Sequence, residues 1–478
     1  MNRIAISAFA VLFSLQVFSQ NEHDAFRYSI AAPGGTARFT SMAGAFGALG
    51  GDFSSIGVNP GGLGVFRVSE FTITPVLDVS NIDAKYLGVL NFSSRNNFSL
   101  NNIGVVLAFP IGGPVDLPGW KFVNLAFGIN RHIDFNRHWD VEGFNPHNSF
   151  MGSLLDQALW EGSVDNLSDF STGLAWDTHL LDRLDGQFFV DMEDSVFQSR
   201  SNLTEGFLRE FVFSVGANYN NRLFLGAALG LATVRFEENF TFNESDIRGL
   251  NPFFTSLEYT YRLRTTGTGL NLKVGAIFRA TEVIRLGVAL HTPTFFNLDD
   301  EYQATMQSQL TLADYNDFAE SPLGRFVYQL NTPMRAVGSL GLVFGRNGLI
   351  SMDYEILDFS TMKLQSEDYG FWSENQTIEE SFTLQHILRI GGELRFNPIV
   401  LRAGYAHHSQ PFVSMVNDGS RDVFTAGIGF IQSNFFLDLG FSRTILREAF
   451  YLYDAVRAQP VEKTYFLSRI NLTAGFRF

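Results

Sequence analysis

The chain contains no cysteine among its 478 residues. That excludes a disulfide framework and leaves no residue to be lipidated after an export signal. No apolar run approaches the ~18 residues that a membrane-spanning helix requires. Bases are scarce against acids, 34 to 49, and the net charge of -15 excludes nucleic acid as a partner. There is no Gly-x-Ser-x-Gly elbow and no His-Glu-x-x-His zinc signature. The sequence therefore gives no ground for an enzyme, a metal site or a cofactor. No Pro/Ser-rich linker and no solenoid or propeller repeat divides the chain.

What is abundant is Phe (50) and Gly (44), with a mean hydropathy of +0.05. A near-neutral average is what strands produce when one face meets lipid and the other water. The first residues, MNRIAISAFAVLFSLQVFSQ, read as a signal peptide over 1–19. Arg3 supplies the positive region, Ile4 to Phe18 the apolar core, and Val17 and Ser19 the cleavage context.

Alternation of period two recurs along the rest. Phe466, Ile470, Leu472, Ala474, Phe476 and Phe478 alternate with Arg469, Asn471, Thr473, Gly475 and Arg477. Phe211, Phe213 and Val215 behave likewise, followed across Asn220-Asn221, a two-residue hairpin signal, by Leu223, Leu225, Leu229 and Leu231. The pattern predicts about fourteen strands. They fall at 69–80, 98–110, 120–137, 207–220, 222–240, 258–280, 282–296, 334–346, 348–362, 381–397, 398–409, 421–433, 434–448 and 463–478. Short connections alternate with long ones at 81–97, 138–206, 241–257, 297–333, 363–380, 410–420 and 449–462. Short turns on one side, long loops on the other and an even strand count define an all-β fold, a transmembrane antiparallel β-barrel of the bacterial outer membrane.

Ahead of the strands, Thr36 to Phe66 carries glycine at 44, 47, 50, 51, 57, 61, 62 and 64, and only Arg38 and Asp52 as charges before Phe66. A surface linker is usually more polar and carries fewer Phe and Leu. The simplest architecture places this stretch inside the barrel, so 20–66 is read as an N-terminal hatch and 67–478 as the barrel. Phe46, Leu49, Phe53, Asn59, Pro60 and Gly61 are its candidates for gating and ligand contact. The longest loop, 138–206, holds thirteen acids against two arginines. Within it Phe150, Met151, Leu154, Leu155, Ala158 and Leu159 recur at helical spacing, followed by Trp160. This is either a small helix packed on neighbouring loops or an apolar receptor surface at the outer mouth, and both can hold.

With strands and hatch placed, the chain resembles the FadL/TodX-like family of outer-membrane transporters for long-chain fatty acids and other hydrophobic compounds. The resemblance rests on Ala43-Gly44-Ala45, Asp52 and Asn59-Pro60-Gly61-Gly62-Leu63 in the hatch, where Gly61 replaces the family's usual Ala. It continues with Gly287-Val288 and His291-Thr292-Pro293-Thr294, then with Asn331-Thr332-Pro333-Met334 leading to Leu340-Gly341-Leu342. Leu401-Arg402-Ala403-Gly404-Tyr405 followed by Pro411 completes it. The resemblance implies a fourteen-stranded monomer closed by its hatch, passive uptake of an apolar molecule such as a fatty acid, and sideways release into the membrane lipid at a kinked strand. A terminal strand ending on Phe478 resembles the signal read by the barrel assembly machinery.

Arg285, Arg335, Asp353, Glu355 and Arg402 fall on the lumenal phase of their strands, as the ion pairs that line barrel interiors do. His407-His408 raises haem as an alternative ligand, but neighbours on a strand point to opposite faces, with His408 inward. A further alternative is an adhesion or binding barrel that works through its acidic loop.

Overall fold

A computed structural model describes residues 22–30, 34–111, 118–192, 194–311, 317–413, 418–454 and 457–478. The expected signal peptide and most of the 111–119 connection lie outside these residues. Fourteen antiparallel strands close into one barrel. They are β1 (Glu70–Tyr86), β2 (Val89–Pro110), β3 (Trp120–Asp134, continued by Arg137–Asn145), β4 (Val196–Tyr219), β5 (Leu223–Ser245) and β6 (Phe254–Arg279). There follow β7 (Ile284–His291 and Phe295–Leu310), β8 (Gly324–Asn331 and Arg335–Phe344), β9 (Gly348–Asp358 and Lys363–Gln365) and β10 (Leu384–Phe396). The last four are β11 (Ile399–His408), β12 (Arg421–Gln432), β13 (Phe435–Tyr451) and β14 (Pro460–Arg477). The barrel closes where β14 pairs with β1, from Glu70 opposite Arg477 to Lys85 opposite Glu462.

The alternation of the sequence sorts the two faces. Phe211, Phe213, Val215, Leu225, Leu229, Leu270, Leu272, Leu437, Leu439, Ile470 and Leu472 are exposed on the outside. Asn218, Asn271, Asp438, Asn471 and Thr473 are buried in the lumen. In water such a belt would be untenable; in a bilayer it is the solvent-facing surface, and closure leaves no unpaired strand edge in the lipid. Asn220 and Asn221 both take φ of 53°, and Arg222 N–H closes the turn on the Tyr219 carbonyl at 3.0 Å.

Several expected loops are shorter than read. There is no loop over 81–97, because β1 and β2 run on to a tight turn at Leu87-Gly88. The 241–257 connection shrinks to 246–253, 297–333 to 311–323, and 138–206 to 146–195. The reason is physical: beyond the lipid belt the outward face no longer meets hydrocarbon. In these extensions polar residues face out while Ile82, Ala84, Tyr86, Phe242 and Leu257 turn inward into an apolar cluster, the reverse of the phase in the belt. Pro293 and Pro333 were read near strand ends, yet they sit within β7 and β8. There Pro cannot donate to the ladder, and the threonine before each proline holds the neighbouring strand with both its N–H and its hydroxyl. Thr292 N–H donates to the Leu272 carbonyl at 2.9 Å and Thr332 N–H to the Thr294 carbonyl at 3.1 Å. Thr292 Oγ1 accepts from Leu272 N–H at 3.0 Å, and Thr332 Oγ1 from Thr294 N–H at 2.8 Å.

The helices are α1 (Glu22–Ser29), α2 (Ala37–Ser41), α3 (Phe150–Glu161), α4 (Thr172–Asp177) and α5 (Trp372–Ser381). Residues 34–66 lie in the lumen, packed against the inner faces of strands all round the barrel. The loop helices α3 and α4 close over the outer end, where Phe150, Met151 and Leu154 join Trp139, Phe242 and Tyr259 in one apolar cluster.

Candidate functional site

The lumenal segment is fastened to the wall by hydrogen bonds from nearly every side. Ala37 N–H donates to Thr473 Oγ1 at 2.6 Å, and Thr425 Oγ1 donates to the Ser41 carbonyl at 2.8 Å. Gly47 N–H donates to Asp353 at 2.9 Å, Arg285 donates to the Leu49 carbonyl at 3.1 Å, and His291 Nε2 donates to the Val58 carbonyl at 3.0 Å. Asn124 Nδ2 reaches the carbonyls of Leu63 and Phe66 at 2.7 and 2.9 Å. Arg38 pairs with Glu393 at 3.0 Å, itself held by Arg402, which also pairs with Asp438. Each such bond contributes about 1 kcal/mol net, so withdrawing the whole segment costs many times thermal energy. Of the acids and bases read as lumenal, Arg285 and Asp353 bond the segment directly and Arg402 holds it through Glu393, whereas Arg335 and Glu355 pair with each other on the wall.

Asn59 accepts from Gly61 N–H at 2.9 Å and donates to the carbonyls of Gly47 (2.6 Å) and Ala276 (3.1 Å). Phe46 packs at a tilt against Phe39 with centroids 5.4 Å apart and joins Leu49, Met42 and Val58 in a buried cluster. Phe53 packs over Gly104 and Gly128, and Pro60 over Gly226. All six candidates of this segment are buried between it and the wall. None of them lines the large cavity that opens above; Phe39, Thr40, Ala43 and Gly44 do.

That cavity measures about 1250 Å³, larger than the ~300–1,000 Å³ of sites for drug-sized ligands. Phe26, Phe236, Phe240, Phe242, Tyr259 and Phe412 give it apolar walls, and α3 contributes Phe150 and Leu154. Of the other loop candidates, Met151 is buried, Leu155 half-buried, and Leu159 and Trp160 are 52% and 84% exposed on the far side of the helix. The helix thus divides its apolar residues between the cavity side and the outer surface. Arg200 is nine-tenths buried, with its guanidinium 3.7 Å from the Phe240 ring centroid and 4.7 Å from that of Phe450. Sequence reading missed Arg200 because it stands on the polar extension of β4, where alternation has faded.

Among the described residues, the wall is incomplete between β2 and β3. β2 and β3 pair from Pro110/Phe122 only as far as Asn102/Asn130. Beyond that point, among the described residues, no ladder joins them: β2 stays with β1, and β3 breaks at 135–136 and continues against β4. Opposite the break Gly206 adopts a φ of 118°, a conformation that favours glycine. Side chains span the gap instead. Asn97 Nδ2 donates to Asp134 at 2.9 Å, and Arg95 reaches the Thr204 carbonyl at 3.1 Å and the Glu205 carboxylate. Asp134, Phe135, Asn136 and Thr204 also line the cavity, so the cavity runs up to this window. His408 is buried and faces the cavity, whereas His407 turns outward to Asp422 at 2.9 Å. The two histidines cannot grip one haem.

The chain thus forms a closed membrane barrel with a filled inner end, an apolar cavity and a gap in its wall. No family model and no curated protein sequence matches the chain. Solved structures do. A FadL homologue of Pseudomonas aeruginosa superposes with a TM-score of 0.57 at 14% identity, covering 94% of this chain and 100% of its own. The P. putida toluene transporter TodX gives 0.54 at 12% identity over 94% and 99%. The Ralstonia pickettii toluene transporter TbuX gives 0.52 at 14% over 95% and 100%. The chain has the fold of the FadL/TodX-like outer-membrane transporters.

Proposed function

We propose that the protein carries hydrophobic molecules, long-chain fatty acids foremost, passively from the exterior into the outer membrane. The observation that carries this reading is the unpaired window between β2 and β3, reached by an apolar cavity whose inner end is filled. Returning an acyl chain to water costs about 0.8 kcal/mol per CH₂, so sideways release into lipid is the favourable exit. The segment 34–66 serves as a hatch, and its dense bonding to the wall makes most of it a fixed floor. Gating falls to Phe39, Thr40, Ala43 and Gly44, which face the cavity. The protein acts as a monomer and needs no cofactor. The similar structures that carry toluene support a hydrophobic cargo, and the cavity's size favours a long one.

The test is uptake of radiolabelled oleate by a bacterial host that lacks its own transporter. Saturable uptake several-fold above host background is expected when the protein is present in the outer membrane. A rate equal to background, with the barrel folded and inserted, would reject the transport reading.

A further inference from the structure

Past the lipid-facing belt, the outward side chains of β4, β5 and β6 turn from apolar to arginine. The last exposed apolar residues of the belt on these strands are Phe211, Leu231 and Leu270. Beyond them, on the same outward phase, stand Arg209, Arg235, Arg264 and Arg262, all exposed. Pairing sets them on neighbouring positions: Arg209 lies opposite Thr233, Arg235 opposite Phe207 and Thr266, and Arg264 opposite Glu237. Bulk composition does not explain such a patch, since the whole chain carries a net charge of -15.

Carboxylates balance only part of it. Arg235 and Arg264 share Glu237 at 2.8 and 3.7 Å, and Arg264 also reaches Glu301 at 3.9 Å. The nearby Glu205 is taken by Arg95 across the window. Arg209 and Arg262 have no carboxylate within salt-bridge distance among the described residues. Arg209 lies instead on the Phe207 ring, 4.0 Å from its centroid, and a guanidinium stacked on a ring keeps its donor edge free. Arg325 on β8 shows the balanced alternative, gripping Asp299 with two bonds at 3.0 and 2.7 Å.

Depth decides what these arginines face. A strand tilted by about 45° and rising about 3.4 Å per residue puts Arg209 about 5 Å beyond Phe211 and Arg235 about 10 Å beyond Leu231. On β6 the same geometry puts Arg264 and Arg262 about 14 and 19 Å beyond Leu270. A phospholipid head group occupies roughly 5–8 Å outside the hydrocarbon, enough to meet Arg209 alone. The graded heights match a taller head group that carries more than one anion.

We infer that the outward face of β4–β6 binds a lipid with a tall, phosphorylated sugar head group. Arg209 takes an anion at the hydrocarbon edge and Arg262 takes one farther out. The acyl chains lie on the exposed Phe211, Phe213, Leu229 and Leu272 below. Arg209 stands opposite Arg131, just where the ladder between β2 and β3 has ended. The bound lipid thus fixes the depth of the barrel, with the foot of the window at the edge of the hydrocarbon. The site is outside the barrel and is independent of what the cavity carries.

The test is native mass spectrometry of the intact barrel released from a non-ionic detergent. The added lipid is rough lipopolysaccharide with phosphorylated core sugars, phosphatidylglycerol or phosphatidylethanolamine. Wild type is expected to retain the lipopolysaccharide at least tenfold more than phosphatidylethanolamine, with phosphatidylglycerol between them. Arg262→Gln should lower lipopolysaccharide retention about fivefold and leave phosphatidylglycerol unchanged, whereas Arg209→Gln should lower both about fivefold. Arg346→Gln, at an exposed inner turn, should change neither. The heat-modified gel mobility of each variant confirms that it is folded, and each arginine variant tests the site separately. Equal retention of lipopolysaccharide and phosphatidylethanolamine by wild type overturns the site. So does lipopolysaccharide retention that is unchanged in both arginine variants or lowered as much by Arg346→Gln. Phosphatidylglycerol retained as strongly as lipopolysaccharide, with Arg262→Gln silent, overturns the tall head group.

Discussion

Gly226 has no room for a side chain, because a Cβ there would come within 3.0 Å of the Pro60 carbonyl. The same holds for Gly391 and Gly404 against Met42, and for Gly427 and Gly440 against Ser41 and Ala37. These wall glycines are seats for the lumenal segment, and the close approach of two backbones is what requires them. Gly226→Val is expected to destabilise the barrel by about 1–3 kcal/mol, the usual cost of overpacking. Gly338→Ala, with nothing within 4 Å, is expected to be neutral. Semi-native gel midpoints in a temperature series compare the two. At this scale the sequence was only partly legible. The composition of 36–66 and the lumenal phase of Arg285, Asp353, Glu355 and Arg402 could be read, since one requires a confined space and the other a period of two. That Phe39 and Gly44 face the cavity while Phe46 and Phe53 face the wall could not. The segment has no repeating period, and its fold is set by contacts with strands hundreds of residues away.

The helix α3 depends on a carboxylate outside the membrane belt. Glu244 stands at the outer end of β5, well past Leu231, the last exposed leucine of that strand. It is fully buried and accepts from Ser149 Oγ at 2.5 Å, Phe150 N–H at 2.8 Å and Gln198 Nε2 at 2.6 Å. Burial pushes its pKa up to about 7, against those three hydrogen bonds, which pull it down. A carboxyl whose folded pKa lies above its unfolded value binds its proton more tightly when folded. Stability therefore falls as pH rises through the window from its ordinary value to about 7. Amide exchange over 150–161 is expected to quicken several-fold between pH 5 and 8 after correction for intrinsic rates, and Glu244→Gln should remove that dependence. Unchanged corrected exchange in wild type would count against a seated α3 controlled by this carboxyl. Elements were the most legible level. Each expected strand has its counterpart, because lipid on one face and water on the other impose alternation. The outer extensions, such as 89–97 and 241–245, escaped because no lipid there imposes a regular apolar outward face.

At the scale of the whole molecule, closure by β14 on β1 and a filled inner end leave the β2–β3 window as the break in the wall that the cavity reaches. Nothing local in the sequence marks it. The sequence reads 120–137 as one strand straight through the break at 135–136, and a missing ladder is a property of two strands rather than one. The cysteine-free chain makes a direct test clean. Asn97→Cys with Asp134→Cys places a thiol on each side of the window, and Leu107→Cys with Leu125→Cys places them where β2 and β3 are already paired. A short reducible bis-thiol cross-linker applied to each pair should lower oleate uptake toward background only at the window. Reduction should restore it. Undiminished uptake through a fully cross-linked window would contradict lateral release and send the route through residues 34–66.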